Sequence, residues 1–457
     1  MMTTPHYSNA LFADLYELTM AQAYWQHGHR GEATLGMFFR ELPPDRGYLV
    51  FAGLEDVLGY LEELRFEPED IQYLRSTRLF DGAFLDWLFE LRFTGTVRAF
   101  AEGDLIFAGE PVVEVTGPII EAQLAETFLM NQINLQTMLA TKAARVMHAA
   151  QGRPVVEFAA RRTHGMDAAT KLARVSYMVG FAGTSNVQAA AIYGMPPAGT
   201  MAHSFITSYA SERDAFADYA DSFPYTTTLL VDTYDTVRGA ARAVEVAKEM
   251  ASRGHRLRAI RLDSGDLLEL SLACRDLLDR AGLDYVTIFA SGGLDEYDVE
   301  DLVRAGAPIG GFGVGTKLGV SADAPWTDCA YKLVDYEGTP VLKLSTGRAM
   351  LAGRKQVWRR SDGSGFFLED AIATMTEDPP SAGARAMLQE VMRDGKRTTA
   401  SPTLAELRER FVGEWAQLPD AQKALRSPEP YLVQPTAILD DVQWGVTQRL
   451  MQTELGE

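Results

Sequence analysis

Arg161 and Arg162, in EFAARRTHG, follow an apolar run that reads as a strand, so they stand where a strand gives way to a loop. A guanidinium there suits a planar carboxylate, because its fork of donors pairs both oxygens at once. The same two residues would also serve as solvated surface charge. His203 sits at the end of a short strand in GTMAHSF, behind Gly199 and Thr200. A neutral imidazole nitrogen is a good nucleophile toward an activated phosphoryl group, and a neighbouring carboxylate fixes its tautomer. A histidine met alone is nevertheless more often structural. Asp263 and Asp266 enclose Ser264 and Gly265 in IRLDSGDL. Carboxylates at a strand end can hold ribose hydroxyls or magnesium, since hard cations take oxygen ligands and keep waters and substrate phosphates. A helix cap would use the same residues. FASGGLDE and GFGVGTK gather glycines after successive apolar runs, and small residues let backbone N–H groups close around phosphate oxygens. GFGVGTK is not a Walker A loop, because Thr316 stands between Gly315 and Lys317.

These stretches need a scaffold that brings them to one face. Between about residues 154 and 345 the runs PVVEFAARRTHG, AGTMAHS, TTLLVDTYDT, LRAIRLDSGD, YVTIFASGGLDE and IGGFGVGTK end in glycine, serine or aspartate, with helical segments after them. Alternating strands and helices imply parallel strands with helical crossovers. Polar residues gathered after each strand are how a (β/α) barrel builds its site; an open doubly wound sheet has a similar rhythm. Over residues 1–140, LFADLYELTMAQAYWQHG and YLVFAGLEDVLGYLEELRF have helical apolar spacing, while ATLGMFFRE and GTVRAFAEGDLIFAGEPVVEVTGP alternate like strands. From about 346 to 457 the chain is strand-like, with hairpin chemistry in RRSDGSG, and then helical. Lys171 and Arg174 share a helix face that reads as solvated. Arg40, Arg46, Lys142, Arg145, Arg348, Arg354 and Lys355 read mostly as surface charges, of which a few could converge on a polyphosphate.

A chain of 457 residues, 47% hydrophobic and 23% charged, is long enough for more than one packed unit. Its two cysteines, Cys274 and Cys329, exclude a disulfide framework and a thiolate zinc cluster. The net charge of −19 argues against wide nucleic-acid binding, which needs a basic surface. The first residues lack a basic segment followed by an apolar one, and no apolar stretch is long enough to span a membrane. A cytoplasmic location is expected.

Taken in order, LFADLYELTMAQAYW, EFAARRTHG, GFAGTSNV, GTMAHSF, RLDSGDL, FASGGLDE and GFGVGTKLG resemble the motif series of nicotinate phosphoribosyltransferases, over about residues 10 to 360. The resemblance implies the type II phosphoribosyltransferase fold of α/β class. That is an irregular (β/α) barrel, here 141–345, with an additional α+β domain formed from residues 1–140 and about 346–457. It implies a homodimer with shared sites that makes nicotinate mononucleotide and diphosphate from nicotinate and phosphoribosyl pyrophosphate in NAD biosynthesis. Mg2+ is the expected cofactor and ATP the co-substrate, coupled through a phosphohistidine at His203. By the same resemblance Tyr16 covers the pyridine ring across the dimer, with Phe158 near it. Arg161 pairs the nicotinate carboxylate, and Ser185 stands where nicotinamide-using relatives keep an aspartate. Arg261 and Asp263 contact ribose and phosphate. Ser291, Gly292, Gly293, Gly313, Gly315 and Thr316 cradle phosphate, and Arg40, Arg348 and Lys355 face the pyrophosphate. One departure is visible: many family members read RRAQG where this chain has Arg161-Arg162-Thr163-His164-Gly165. The rival readings are a nicotinamide-using transferase and a non-catalytic nucleotide or sugar-phosphate sensor.

Overall fold

The alternating runs past residue 154, AGTMAHS excepted, become parallel strands. The computed structural model describes residues 7–344 and 350–456, and its contacts divide the chain into two units, Met1–Met138 with Trp326–Glu457, and Leu139–Pro325.

The Leu139–Pro325 unit holds a six-stranded parallel sheet in the order Gly183–Thr184, Val155–Glu157, Gly311–Val314, Thr287–Ala290, Ala259–Leu262, Thr228–Leu230. Spatial neighbours are chain neighbours, and the earliest strand pairs with the latest. This is the cyclic order of a barrel with one seam open, between Gly183–Thr184 and Thr228–Leu230, which no ladder joins among the described residues. Each strand is followed by a helix, among them Met166–Met178, Thr236–Ser252, Leu267–Arg280 and Glu296–Arg304. Parallel strands put every such strand-to-helix loop on one face.

Several aspartates after the strands are used to start helices. Asp235 accepts from the Arg238 N–H, Asp266 from Leu268 and Glu269, and Asp295 from Tyr297 and Asp298, satisfying donors that the first helical turn leaves unpaired. Asp266 is therefore a cap, whereas Asp232 and Asp263 remain at the strand ends for other work.

The other unit is built on a seven-stranded antiparallel sheet whose centre is Cys329–Tyr336, Glu32–Phe39, Pro111–Pro118 and Thr96–Ala99. Its core includes Phe39, Phe51, Val57, Phe84, Phe100, Val113 and Ile133. Residues 326–344, which the strand rhythm assigns to the barrel, belong here. Cys329–Tyr336 pairs antiparallel along Glu32–Phe39, with one register shift between Thr34 and Leu35. A hairpin does join Lys355–Ser361 to Phe367–Thr374. Asp362 accepts from the N–H groups of Ser364 (2.8 Å) and Phe366 (3.0 Å), and Gly365 adopts φ +88°, a conformation that favours glycine.

Candidate active site

GTMAHSF does not form a strand. His203 opens the short helix His203–Thr207, and the backbone before it is held by a side chain instead of a ladder. Arg261 Nη1 donates to Thr200 Oγ1 (2.6 Å) and to the Met201 carbonyl (3.2 Å).

The imidazole of His203 is fixed from two sides. Its Nδ1 lies 3.1 Å from Thr233 Oγ1, while Nε2 faces Asp263 Oδ2 at 3.7 Å and Asp232 Oδ1 at 4.0 Å. The histidine side chain is 43% exposed and that of Asp232 only 1%, so the ring opens to solvent against a buried carboxylate. Asp232 Oδ2 accepts from the Asp263 N–H (3.0 Å) and the Ser264 hydroxyl (2.6 Å). Its Oδ1 is buried without a hydrogen bond, which costs free energy unless a donor or cation arrives. Asp263 Oδ1 accepts from Ser291 Oγ (2.5 Å) and Arg261 Nη2 (3.1 Å), and Arg261 Nε donates to Ser291 Oγ (3.0 Å). All three guanidinium nitrogens thus donate to protein atoms. Arg261 braces Asp263 rather than offering a free fork to a ligand.

The neighbouring strand ends carry the remaining residues singled out in this unit. Phe158 packs its ring against Phe289, centroids 6.0 Å apart, with the Arg261 guanidinium carbon 5.8 Å from its centroid. Gly313 lies inside Gly311–Val314 and not in a loop; a Cβ there would fall 2.6 Å from the Phe158 ring. It makes room for that ring, and the loop proper begins at Gly315 and Thr316. Gly292, at φ +100°, would drive a Cβ into the Asp263 carbonyl, whereas Gly293 at φ +74° has open space. Arg161, Ser185 and Thr316 are exposed, and the Arg161 guanidinium has no hydrogen bond or ion pair among the described residues.

Tyr16, Arg40 and Lys355 lie in the other unit; Arg348 falls outside the described residues. Tyr16 is 45% exposed on helix Leu15–Gln26, and burial together with Glu126, which accepts from it, raises its hydroxyl pKa. Arg40 and Lys355 line one cavity of about 390 Å³ with Asp328 and Met350. Arg40 Nη1 donates to Asp328 Oδ1 at 2.6 Å. The Lys355 ammonium is buried, donating to the carbonyls of Leu351 and Gly353 and lying 3.4 Å from Glu114. Burial lowers its pKa against the pull of that carboxylate.

Motif reading missed Asp232 and Thr233. The signal was there in TTLLVDTYDT, an apolar run ending in the same acid-then-hydroxyl pattern as RLDSGD.

Comparison with known proteins gives three successive matches to family models: the nicotinate phosphoribosyltransferase N-terminal domain over residues 11–134, the nicotinate phosphoribosyltransferase family over 154–348, and its C-terminal domain over 382–443. The last covers a stretch that carries no recognisable motif. Nicotinate phosphoribosyltransferase pncB2 of Mycobacterium tuberculosis is 49% identical, covering 100% of this chain and 97% of the relative. The nicotinate phosphoribosyltransferase of Bacillus subtilis is 41% identical over 81% of this chain and 77% of its own length. The crystal structure of human nicotinic acid phosphoribosyltransferase superposes with a TM-score of 0.85 at 30% identity, covering 94% of this chain and 99% of that one. With full-length identity at this level and a shared fold, the chain belongs to the nicotinate phosphoribosyltransferase family.

Proposed function

We propose that this chain condenses nicotinate with phosphoribosyl pyrophosphate, giving nicotinate mononucleotide and diphosphate for the salvage of NAD, and that ATP hydrolysis drives the reaction through a phosphohistidine at His203. The observation that carries this reading is the imidazole itself, with Nδ1 on Thr233 and Nε2 turned to Asp232 and Asp263. When Nδ1–H donates to the threonine oxygen, the lone pair lies on Nε2. That nitrogen attacks the γ-phosphorus of ATP, the bond to the leaving oxygen breaks, and ADP departs. Two carboxylates beside the new phosphoryl group repel it, favouring its later transfer to water. The modified state is an energy relay that biases the site toward tight substrate binding.

In the transferase step the pyridine nitrogen displaces diphosphate from the anomeric carbon while positive charge builds on the ribose. Arg161 pairs the nicotinate carboxylate, Phe158 flanks the ring, and Ser185 avoids the repulsion an aspartate would exert on an acid. Asp263 meets the ribose hydroxyls, and the backbone N–H groups around Gly292, Gly293, Gly315 and Thr316 meet phosphate oxygens.

The donor set suits magnesium. The unbonded Asp232 Oδ1 and the outward Asp263 Oδ2 are hard oxygen ligands, and no group of three or more His, Cys, Asp or Glu is poised as a full cage among the described residues. A cation that keeps waters and substrate phosphates fits such a site. Asp232 and Asp263 would hold it, and when bound it neutralises charge on the departing diphosphate.

Exposed Phe12, Leu15, Tyr16 and Met20 form an apolar stretch at the start of helix Leu15–Gln26, which supports a homodimer in which Tyr16 serves the partner's site. No helix among the described residues is long and apolar enough to cross a membrane, in keeping with a cytoplasmic enzyme. The test is a joint assay of diphosphate and ADP release. This reading expects sustained ADP release, beyond the first equivalent that phosphorylates His203, to require nicotinate and phosphoribosyl pyrophosphate together, and turnover of nicotinamide in place of nicotinate would sink it.

A further inference from the structure

Glu157 ends the strand Val155–Glu157, is fully buried, and has no part in the chemistry above. Its Oε1 accepts from the Ala159 N–H and its Oε2 from the Thr184 hydroxyl. Thr184 Oγ1 accepts in turn from the Asn186 N–H (2.9 Å), and the Glu157 carbonyl accepts from the Ser185 N–H (2.9 Å). On the other side, the Ala159 carbonyl takes the N–H groups of Arg162 (2.7 Å) and Thr163 (3.0 Å) and the Thr163 hydroxyl (3.0 Å). One carboxylate therefore anchors both the turn that carries Arg161 and the loop that opens with Ser185.

The rigidity of this arrangement follows from burial. A carboxylate out of water is stable only while its donors stay in place, so each donor is held firmly. Burial raises the Glu157 pKa, and the Thr184 hydroxyl and the Ala159 and Ala160 N–H groups pull it back down. Arg161 has no side-chain partner to aim it among the described residues. Its direction is set by the turn beneath it, and the turn is set by Glu157.

We propose that Glu157 and Thr184 are a positioning pair that fixes the spacing between Arg161 and Ser185, and thereby governs how tightly the pyridine carboxylate is held. The proposal rests on the nicotinate reading given above. Neither residue touches substrate; both act through the two loops they tie together.

Three variants test it: Thr184→Val removes the hydroxyl at constant size, Thr184→Ser keeps it, and Glu157→Gln keeps the shape while removing the charge. Steady-state kinetics are measured with nicotinate and phosphoribosyl pyrophosphate varied in turn, and folding is followed by circular dichroism. Thr184→Val and Glu157→Gln are expected to raise the nicotinate KM by roughly tenfold or more, the loss of one hydrogen bond to a charged group. The KM for the sugar diphosphate stays within about twofold, and Thr184→Ser restores the wild-type value. An unmoved nicotinate KM, or equal changes for both substrates, overturns the proposal. So does failure of both Thr184→Val and Glu157→Gln to fold, since the pair would then be a requirement of the barrel. A wild-type protein that releases no diphosphate from nicotinate sinks the reading and the proposal together, whereas an active wild type with unmoved variants sinks the proposal alone.

Discussion

Asp232 holds its buried, unbonded Oδ1 4.0 Å from Nε2 of His203. A carboxylate in that position stabilises the positive charge an imidazole gains as it takes a phosphoryl group, and it does so in a setting poorly screened by water. Asp232→Asn keeps an oxygen for the Asp263 N–H and Ser264 hydroxyl while removing the charge. The expected outcome is a fall of about tenfold or more, about 1.4 kcal/mol in the barrier, in the rate of His203 phosphorylation by ATP, with thermal stability little changed. Quenched-flow labelling with ATP checks it, and equal rates in the two proteins would contradict it.

Arg161→Ala removes the fork assigned to the nicotinate carboxylate. A charge-assisted pair contributes about 1.5–3 kcal/mol, so the nicotinate KM should rise roughly ten- to a hundredfold. The KM for phosphoribosyl pyrophosphate should change far less. Equal losses for both substrates in steady-state kinetics would remove the carboxylate role.

Glu17 makes stability depend on pH near neutrality. It is fully buried on helix Leu15–Gln26, accepts from the Thr127 N–H and hydroxyl through Oε1, and leaves Oε2 unbonded. Burial first, then Glu126 and Asp14, push its carboxyl up to about 7, against the pull of the Thr127 donors. The folded pKa lies above the unfolded one, so the stabilisation is fully present below about 4.5 and is lost as pH rises through about 7. A tenfold difference in proton affinity between the folded and unfolded chain is worth about 1.4 kcal/mol, so the whole loss is about 3 kcal/mol, of which about 1.4 kcal/mol falls above pH 6. The thermal midpoint should drop between pH 6 and pH 8.5, and Glu17→Gln should flatten that drop. A parallel pH profile in the variant, measured by calorimetry, would rule out Glu17 as the source.

Gly292→Ala should be poorly tolerated, because the added Cβ meets the Asp263 carbonyl in a backbone conformation at φ +100° that side chains rarely adopt. A cost of about 1–3 kcal/mol is expected, together with reduced turnover from a displaced Asp263. Chemical denaturation and initial rates check both, and a variant with unchanged midpoint and rate would show that the loop yields freely.

The legible part of this protein was its rhythm. Apolar runs closed by polar residues gave the parallel strands at Val155, Thr228, Ala259, Thr287 and Gly311, since strands buried on both faces read as short continuous apolar stretches. Gly183–Thr184 escapes such a reading because two residues cannot show a period. The AGTMAHS run misleads because its Met201 carbonyl accepts from Arg261, distant in sequence, and only its first residue, Ala198, reaches a strand, through its N–H on the Thr184 carbonyl. Charges mislead more than apolar residues do. Lys142 and Arg145 read as surface groups but are buried, Lys142 at 2.6 Å from Asp323 and Arg145 at 2.9 Å from Glu296, and Lys171 and Arg174 are buried too. For Lys142 and Arg145 nothing local marks the burial, because their partners lie more than a hundred residues away. For the site, His203 and Asp263 could be named from spacing, but the contact between them, and the place of Asp232 beside both, belong to tertiary structure.

The measurement closest to the centre of this account compares wild type with His203→Ala in simultaneous assays of ADP and diphosphate release, with nicotinate, phosphoribosyl pyrophosphate and magnesium present and ATP added or withheld. The account predicts that the variant keeps a slow, nicotinate-dependent release of diphosphate, forms no phosphohistidine, and gains nothing from ATP. A His203→Ala enzyme still fully stimulated by ATP would contradict it.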